Sequence, residues 1–177
     1  IMNIKKIVIL ISGRGSNMCA ILKVAKLENW PVDFPIIISN TPSAKGLTEA
    51  KDLGYKTKVI DNINFSERAQ FDRALSLEID KFSPDYIVLA GFMRILTSNF
   101  VKKYEKKIIN IHPSLLPSFP GLNTHKQVLL SGTKIHGVTV HYVNSNLDSG
   151  PIIAQESLKV FYDDTEETLA KRILDLE

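Results

Sequence analysis

Ile7-Val8-Ile9-Leu10-Ile11 is an unbroken apolar run, nearly all of it β-branched, and Ser12-Gly13-Arg14-Gly15-Ser16-Asn17 follows at once. A strand without polar alternation is buried on both faces, the condition of a parallel sheet covered by helices. Beyond the glycine turn, Ala20, Ile21, Val24 and Leu27 recur at helical spacing, so the chain opens as strand, turn and helix. Asn17 or Ser16 is placed to cap that helix. The run falls far short of the roughly 20 apolar residues of a membrane helix. It is also too short for a signal-peptide core and has no small-residue cleavage site after it. Ile1 ahead of Met2 reads as an extra residue before a start methionine.

The same alternation continues downstream. Strands are predicted at 34–39, 56–60, 86–90 and 108–111. Helices are predicted at 44–53, where Gly54 ends the run, at 67–82 with Phe71, Leu75, Ile79 and Phe82 on one stripe, and at 97–104 behind a Thr97 cap. Residues 112–123 hold three prolines and a glycine and read as a long ordered loop. A helix over 124–130 stops at Gly132. Strands at 138–143 and 152–160 follow with no helix between them, and Thr165, Glu166 and Glu167 open a last helix. The expected fold is α/β: a Rossmann-like, mainly parallel sheet flanked by helices, with an antiparallel strand pair near the C-terminal end. One domain over 1–177 is expected, and the unfinished helical pattern at Glu177 implies further residues downstream.

Composition narrows the function classes. With 177 residues, 44% apolar and 23% charged, the chain is an ordinary globular one that needs no disulfide staples. A net charge of +3, with no Lys/Arg run longer than two, argues against nucleic acid or a membrane surface as partner. A single cysteine, Cys19, fits a reducing compartment, and the cytosol is the default location.

In an open parallel sheet, ligands bind outside the carboxyl ends of the strands. Three polar segments follow strands there, 12–17, 91–96 and 110–118, and they are expected to share one crevice. The first is not a dinucleotide fingerprint, because Met18 stands where a third glycine belongs and Ser39-Asn40 replaces the ribose-binding acid. It is not a P-loop either. A single phosphate on Gly15, Ser16 and Asn17 suits a helix N-terminus better, the alternative being a plain tight turn. In Asn110-Ile111-His112-Pro113, period-2 alternation points Asn110 and His112 to one side. A histidine there can donate to a developing oxyanion, and the asparagine amide can hold the same oxygen without titrating. The alternative is a structural histidine bonded to backbone.

Asp148, before Ser149-Gly150, is either a turn residue or a carboxylate that orients His112 and favours its charged form. His125, His136 and His141 lack metal-ligand spacing and read as non-ligands. Arg94, on an apolar rim, suits a flat ligand with an acidic tail. Arg68 and Arg14 are weaker anion candidates.

Four motifs in order, Ser12–Asn17, Ala90–Leu96, Asn110–Pro117 and Leu147–Pro151, resemble those of the folate-dependent formyltransferase family, in particular its purine-biosynthetic branch. The resemblance runs from Ile4 to Glu177. It implies that the amine of glycinamide ribonucleotide attacks the formyl carbon of 10-formyltetrahydrofolate, a co-substrate, with no metal. It assigns Asn110, His112 and Asp148 to catalysis. Gly15, Ser16, Asn17 and Glu177 fall to the ribonucleotide. Arg68, Met93, Arg94, Ile95, Leu96, Asn144, Ser145, Asn146 and Leu147 fall to the folate. Monomer and homodimer both stay open. Family members that act on tRNA carry an extra C-terminal domain, and those that hydrolyse the donor carry an N-terminal regulatory one. A hydrolase is the alternative activity, and a non-catalytic nucleotide-binding module the alternative class. Arg14 inside the turn and Ser149, where many members have glycine, depart from the family pattern.

Overall fold

The computed structural model describes residues 3–177; Ile1 and Met2, and with them the reading of Ile1 as an extra residue, lie outside the described residues. The chain divides into two compact units, one running to Ile108 and one from Ile109 to Glu177.

The first unit is a parallel sheet with helices. Strand β1 (Lys5–Ile11) pairs in parallel with β3 (Ile37–Ser39) and β5 (Tyr86–Leu89), and β3 pairs in parallel with β4 (Thr57–Val59). Val8, Ile9, Leu10 and Ile11 are fully buried, as their lack of polar alternation predicts. Helices α1 (Ser16–Leu27), α2 (Gly46–Asp52), α3 (Arg68–Asp80) and α4 (Ser98–Lys103) connect the strands. The α3 stripe holds, with Phe71, Leu75 and Ile79 all fully buried.

Several boundaries move for local reasons. The expected strand over 34–39 shrinks to Ile37–Ser39, because Pro35 has no N–H to give to a ladder. A two-residue strand, β2 (Val32–Asp33), pairs with β1 ahead of that proline. Helix α2 begins at Gly46 rather than at Ala44. The N-cap residue of α1 is Gly15, left-handed at φ 70° and without a side chain to cap with, rather than Ser16 or Asn17. Glycine wins there because a Cβ on Gly15 would stand 2.9 Å from the Gly46 Cα.

The second unit is antiparallel. Strand β6 (Ile108–His112) opens at the boundary and pairs with β7 (Ile135–Tyr142), which pairs with β8 (Ile152–Lys159). The antiparallel pair expected near the C-terminal end, β7 with β8, is present, and a second, β6 with β7, adjoins it. The loop after His112 and the short α5 (Thr124–Ser131) return the chain to the end where β6 exits, so that His112 faces Thr139. Val128, Val138, Leu169 and Ile173 form a buried core between α5, β7 and α6 (Glu166–Leu176). Thr165 and Thr168 close a reciprocal capping box at the start of α6. β8 is an edge strand, and nearly every residue on it is exposed.

Candidate active site

Asn110 and His112 project from β6, two residues apart and therefore on one face. His112 is 5% exposed. Its Nε2 lies 3.0 Å from the Phe119 carbonyl oxygen, and its Nδ1 lies 3.5 Å from Asp148 Oδ1. The carbonyl can only accept, so Nε2 is the donor in that bond, while the Asp148 carboxylate faces Nδ1. The sequence placed Asp148 in a loop and left its partner open. The fold brings the carboxylate to His112 and gives its Oδ2 a 2.7 Å bond from the Gly121 N–H.

Backbone geometry places that carboxylate. Asp148 sits in the left-handed region at φ 49°, which Asp tolerates better than most residues. Two residues on, a Cβ at Gly150 would fall 1.5 Å from the Tyr142 carbonyl oxygen, so only glycine lets the loop rejoin β7 and β8 this closely. The Tyr142 N–H bonds the Pro151 carbonyl at 2.9 Å. Asn144 Oδ1 accepts from the Asn146 N–H and from Ser149 Oγ, which orders the turn that carries Ser145 and the exposed Leu147.

The loop from Pro113 to Asn123 is tied down by groups that the sequence did not single out. Thr139 Oγ1 donates to the Ser114 carbonyl at 2.7 Å and accepts from the Leu116 N–H at 3.0 Å. Gln155 Nε2 donates to the Leu116 carbonyl and to Thr139 Oγ1. Ser114 Oγ reaches the carbonyls of Ser118 and Phe119, and Thr124 Oγ1 donates to that of Pro113. The Leu116–Pro117 peptide is cis. His141 was read as a non-ligand. It lies directly across from Asn110 in the ladder, with Nε2 3.3 Å from Asn110 Nδ2. The signal for it was a histidine inside the strand predicted over 138–143, and strand register was the missing step.

His125 and His136 pair with each other, Nδ1 to Nε2 at 3.0 Å. His136 is 1% exposed, and its pKa is lowered from 6.5 to about 4, first by burial and then by positive charge on His125 and His112. Burial lowers His125 as well. Among the described residues, no group of three or more His, Cys, Asp or Glu side chains is arranged to hold a metal ion.

The remaining candidates lie in the first unit, apart from Glu177, which caps α6 and donates its N–H to the Ile173 carbonyl. The turns at 12–17 and 91–96 meet, since the Met93 N–H bonds Ser12 Oγ at 2.8 Å. Segment 110–118, expected in the same crevice, belongs to the second unit. Gly15 is buried, Asn17 half-buried and Ser16 exposed. Arg68 is exposed at the first turn of α3. Met93 and Ile95 are exposed at 72% and 57%, an apolar rim open to solvent, while Leu96 is half-buried. Between them Arg94 lies over the Phe71 ring, 4.2 Å from the centroid, with its Nε buried and unpartnered. Asp72, 3% exposed, accepts the Thr97 N–H at 2.7 Å and so fastens the end of this segment to α3.

A family described as formyl transferase matches residues 5–177 of the chain. A phosphoribosylglycinamide formyltransferase of Escherichia coli is 44% identical over 167 residues, which is 94% of this chain and 79% of that protein. A trifunctional purine biosynthetic protein, adenosine-3 of Gallus gallus, is 45% identical over 172 residues, 97% of this chain but only 17% of that protein. The solved structure of a phosphoribosylglycinamide formyltransferase from Coxiella burnetii superposes with a TM-score of 0.92 at 43% identity, covering 98% of this chain and 82% of that one.

Proposed function

The chain belongs to the formyl transferase family, and from that premise we propose that it transfers the formyl group of 10-formyltetrahydrofolate to the amine of glycinamide ribonucleotide, a step of purine biosynthesis. The observation that carries the reading is His112, buried with an acceptor on each ring nitrogen and two residues from an asparagine amide on the same face.

The neutral amine attacks the formyl carbon, and the carbonyl π pair moves onto oxygen. Asn110 supplies an N–H to that oxyanion. The His112 imidazolium supplies a second donor once its Nε2–H turns from the Phe119 carbonyl to the substrate. Asp148, 3.5 Å from Nδ1, orients the ring and offsets the positive charge it carries while it donates. When the oxyanion collapses, the bond from the formyl carbon to N10 breaks. The amine loses one proton and N10 gains one, with His112 as the carrier.

Gly15, Ser16, Asn17 and Glu177 take the ribonucleotide and its phosphate in this reading. Met93, Arg94, Ile95 and Leu96, with Arg68 and the turn 144–147, take the folate. The free Cys19 supports a cytosolic location. Among the described residues, no helix is long and apolar enough to cross a membrane. Sedimentation separates the two assemblies left open, monomer and homodimer.

The test is donor deformylation followed by absorbance, with and without glycinamide ribonucleotide. Turnover only with the ribonucleotide is expected, and His112→Ala is expected to lower it by about 10²-fold or more. Turnover that ignores the amine would make the chain a hydrolase. No turnover under either condition would leave a binding module.

A further inference from the structure

We infer that His141 is a positioning residue that sets which way the Asn110 amide faces; the inference rests on the formyl-transfer reading above. A half-buried asparagine such as Asn110 can sit with its amide nitrogen and oxygen exchanged, and the two orientations offer a substrate oxyanion opposite things. One presents an N–H and the other a repelling oxygen. Catalysis by Asn110 therefore needs a group that chooses between them.

His141 makes that choice through its tautomer. Its Nδ1 lies 2.9 Å from the Tyr142 carbonyl oxygen, which can only accept, so Nδ1 carries the proton. With the ring's proton on Nδ1, Nε2 is an acceptor. The atom opposite it at 3.3 Å is Asn110 Nδ2, which donates one of its two N–H groups. The exchanged amide would set Oδ1 against a lone pair. The second N–H of Nδ2 has no bond among the described residues and is the one left for a developing oxyanion.

The surrounding strands hold this arrangement. Asn110 and His141 are directly opposed in the β6–β7 ladder, and His141 is 2% exposed. A register shift follows at once, since Val140 faces Ala154 while His141 faces Ile152, leaving Ile153 as the extra residue of a bulge on β8. Bulges re-aim side chains and are common beside active sites.

The test is a double-mutant cycle on kcat with His141→Phe and Asn110→Ala, joined by His141→Gln, which keeps an acceptor. His141→Phe alone is expected to lower kcat by about 10- to 100-fold, below the cost of deleting the oxyanion donor, with KM for the ribonucleotide changed less than about threefold. In the Asn110→Ala background the same substitution is expected to cost less than about threefold. His141→Gln is expected to restore part of the loss. An equal loss in both backgrounds would overturn the inference.

Long-range proton–nitrogen correlation of the unmutated protein gives a readout that needs no variant to fold. The proton is expected on Nδ1 of His141, and a proton on Nε2 alone would equally overturn the inference. If the unmutated protein transfers no formyl group, the functional reading fails by itself, and the tautomer result still decides the orientation of Asn110.

Discussion

Gly15 and Gly13 stand two positions apart in one turn and do different work. Gly15 is left-handed at φ 70° and would drive a Cβ to 2.9 Å from the Gly46 Cα, whereas nothing lies within 4 Å of a Cβ on Gly13. A left-handed non-glycine residue costs about 1–2 kcal/mol before any clash. Gly15→Ala is therefore expected to lower the thermal midpoint by roughly 4 °C or more, and Gly13→Ala to leave it within about 2 °C. Differential scanning calorimetry of the two variants checks this, and equal midpoints would refute it. The turn was legible in the sequence, but its reason was not. Two glycines ahead of a helix suggested an anion site with a Ser16 or Asn17 cap. The close approach of Gly46, a residue from the next helix, is a tertiary fact that no local spacing carries. The same limit applies to His112 and Asp148. Each was singled out by its own neighbours, and only the β6–β7 pairing and the Gly150 turn bring the two together.

At the level of elements, α3 does more than fill the core. Its stripe was readable as Phe71, Leu75 and Ile79. The sequence did not show that Phe71 also supports the Arg94 guanidinium, or that Asp72 accepts the Thr97 N–H at 2.7 Å. Both contacts fasten segment 91–97 to the helix. Asp72→Ala strands a backbone donor at about 1–3 kcal/mol. Under the proposed function it is expected to raise KM for the formyl donor several-fold with kcat nearly unchanged. Steady-state kinetics with each substrate varied in turn would show it, and a kcat effect alone would contradict it. Helix α5 is held to β7 by the His125–His136 pair. The pKa of His136 falls from 6.5 to about 4 on folding, so the unfolded chain binds the proton more readily between those values. The stability this contributes is complete above pH 6.5 and is lost as pH falls towards 4. The melting midpoint is expected to drop across that window, and His136→Asn to flatten the drop. A slope unchanged by the substitution would count against the buried His136 as its source.

For the whole molecule, the parallel first unit was the legible half. An apolar strand followed by a helical stripe, repeated, has few other solutions. The antiparallel run of β7 against β6 was not legible, because a helix between two strands reads as a parallel crossover until the loop ahead of it is seen to turn the chain back. That course leaves β8 at the sheet edge with Ile152 and Ile153 exposed at 48% and 46%. An unpaired strand edge is a template for another copy. Shelf behaviour follows from this. Turbidity in storage is expected to grow faster than linearly with protein concentration, as an encounter of two molecules requires. Ile153→Lys, which puts a charge at the bulge, is expected to slow it at equal fold stability, with static light scattering over days as the measurement. If haze grows at one rate whatever the concentration, edge pairing is not its cause. For the bench, the strand paired with the one that carries His141 is also the one that sets how long a stock solution stays clear.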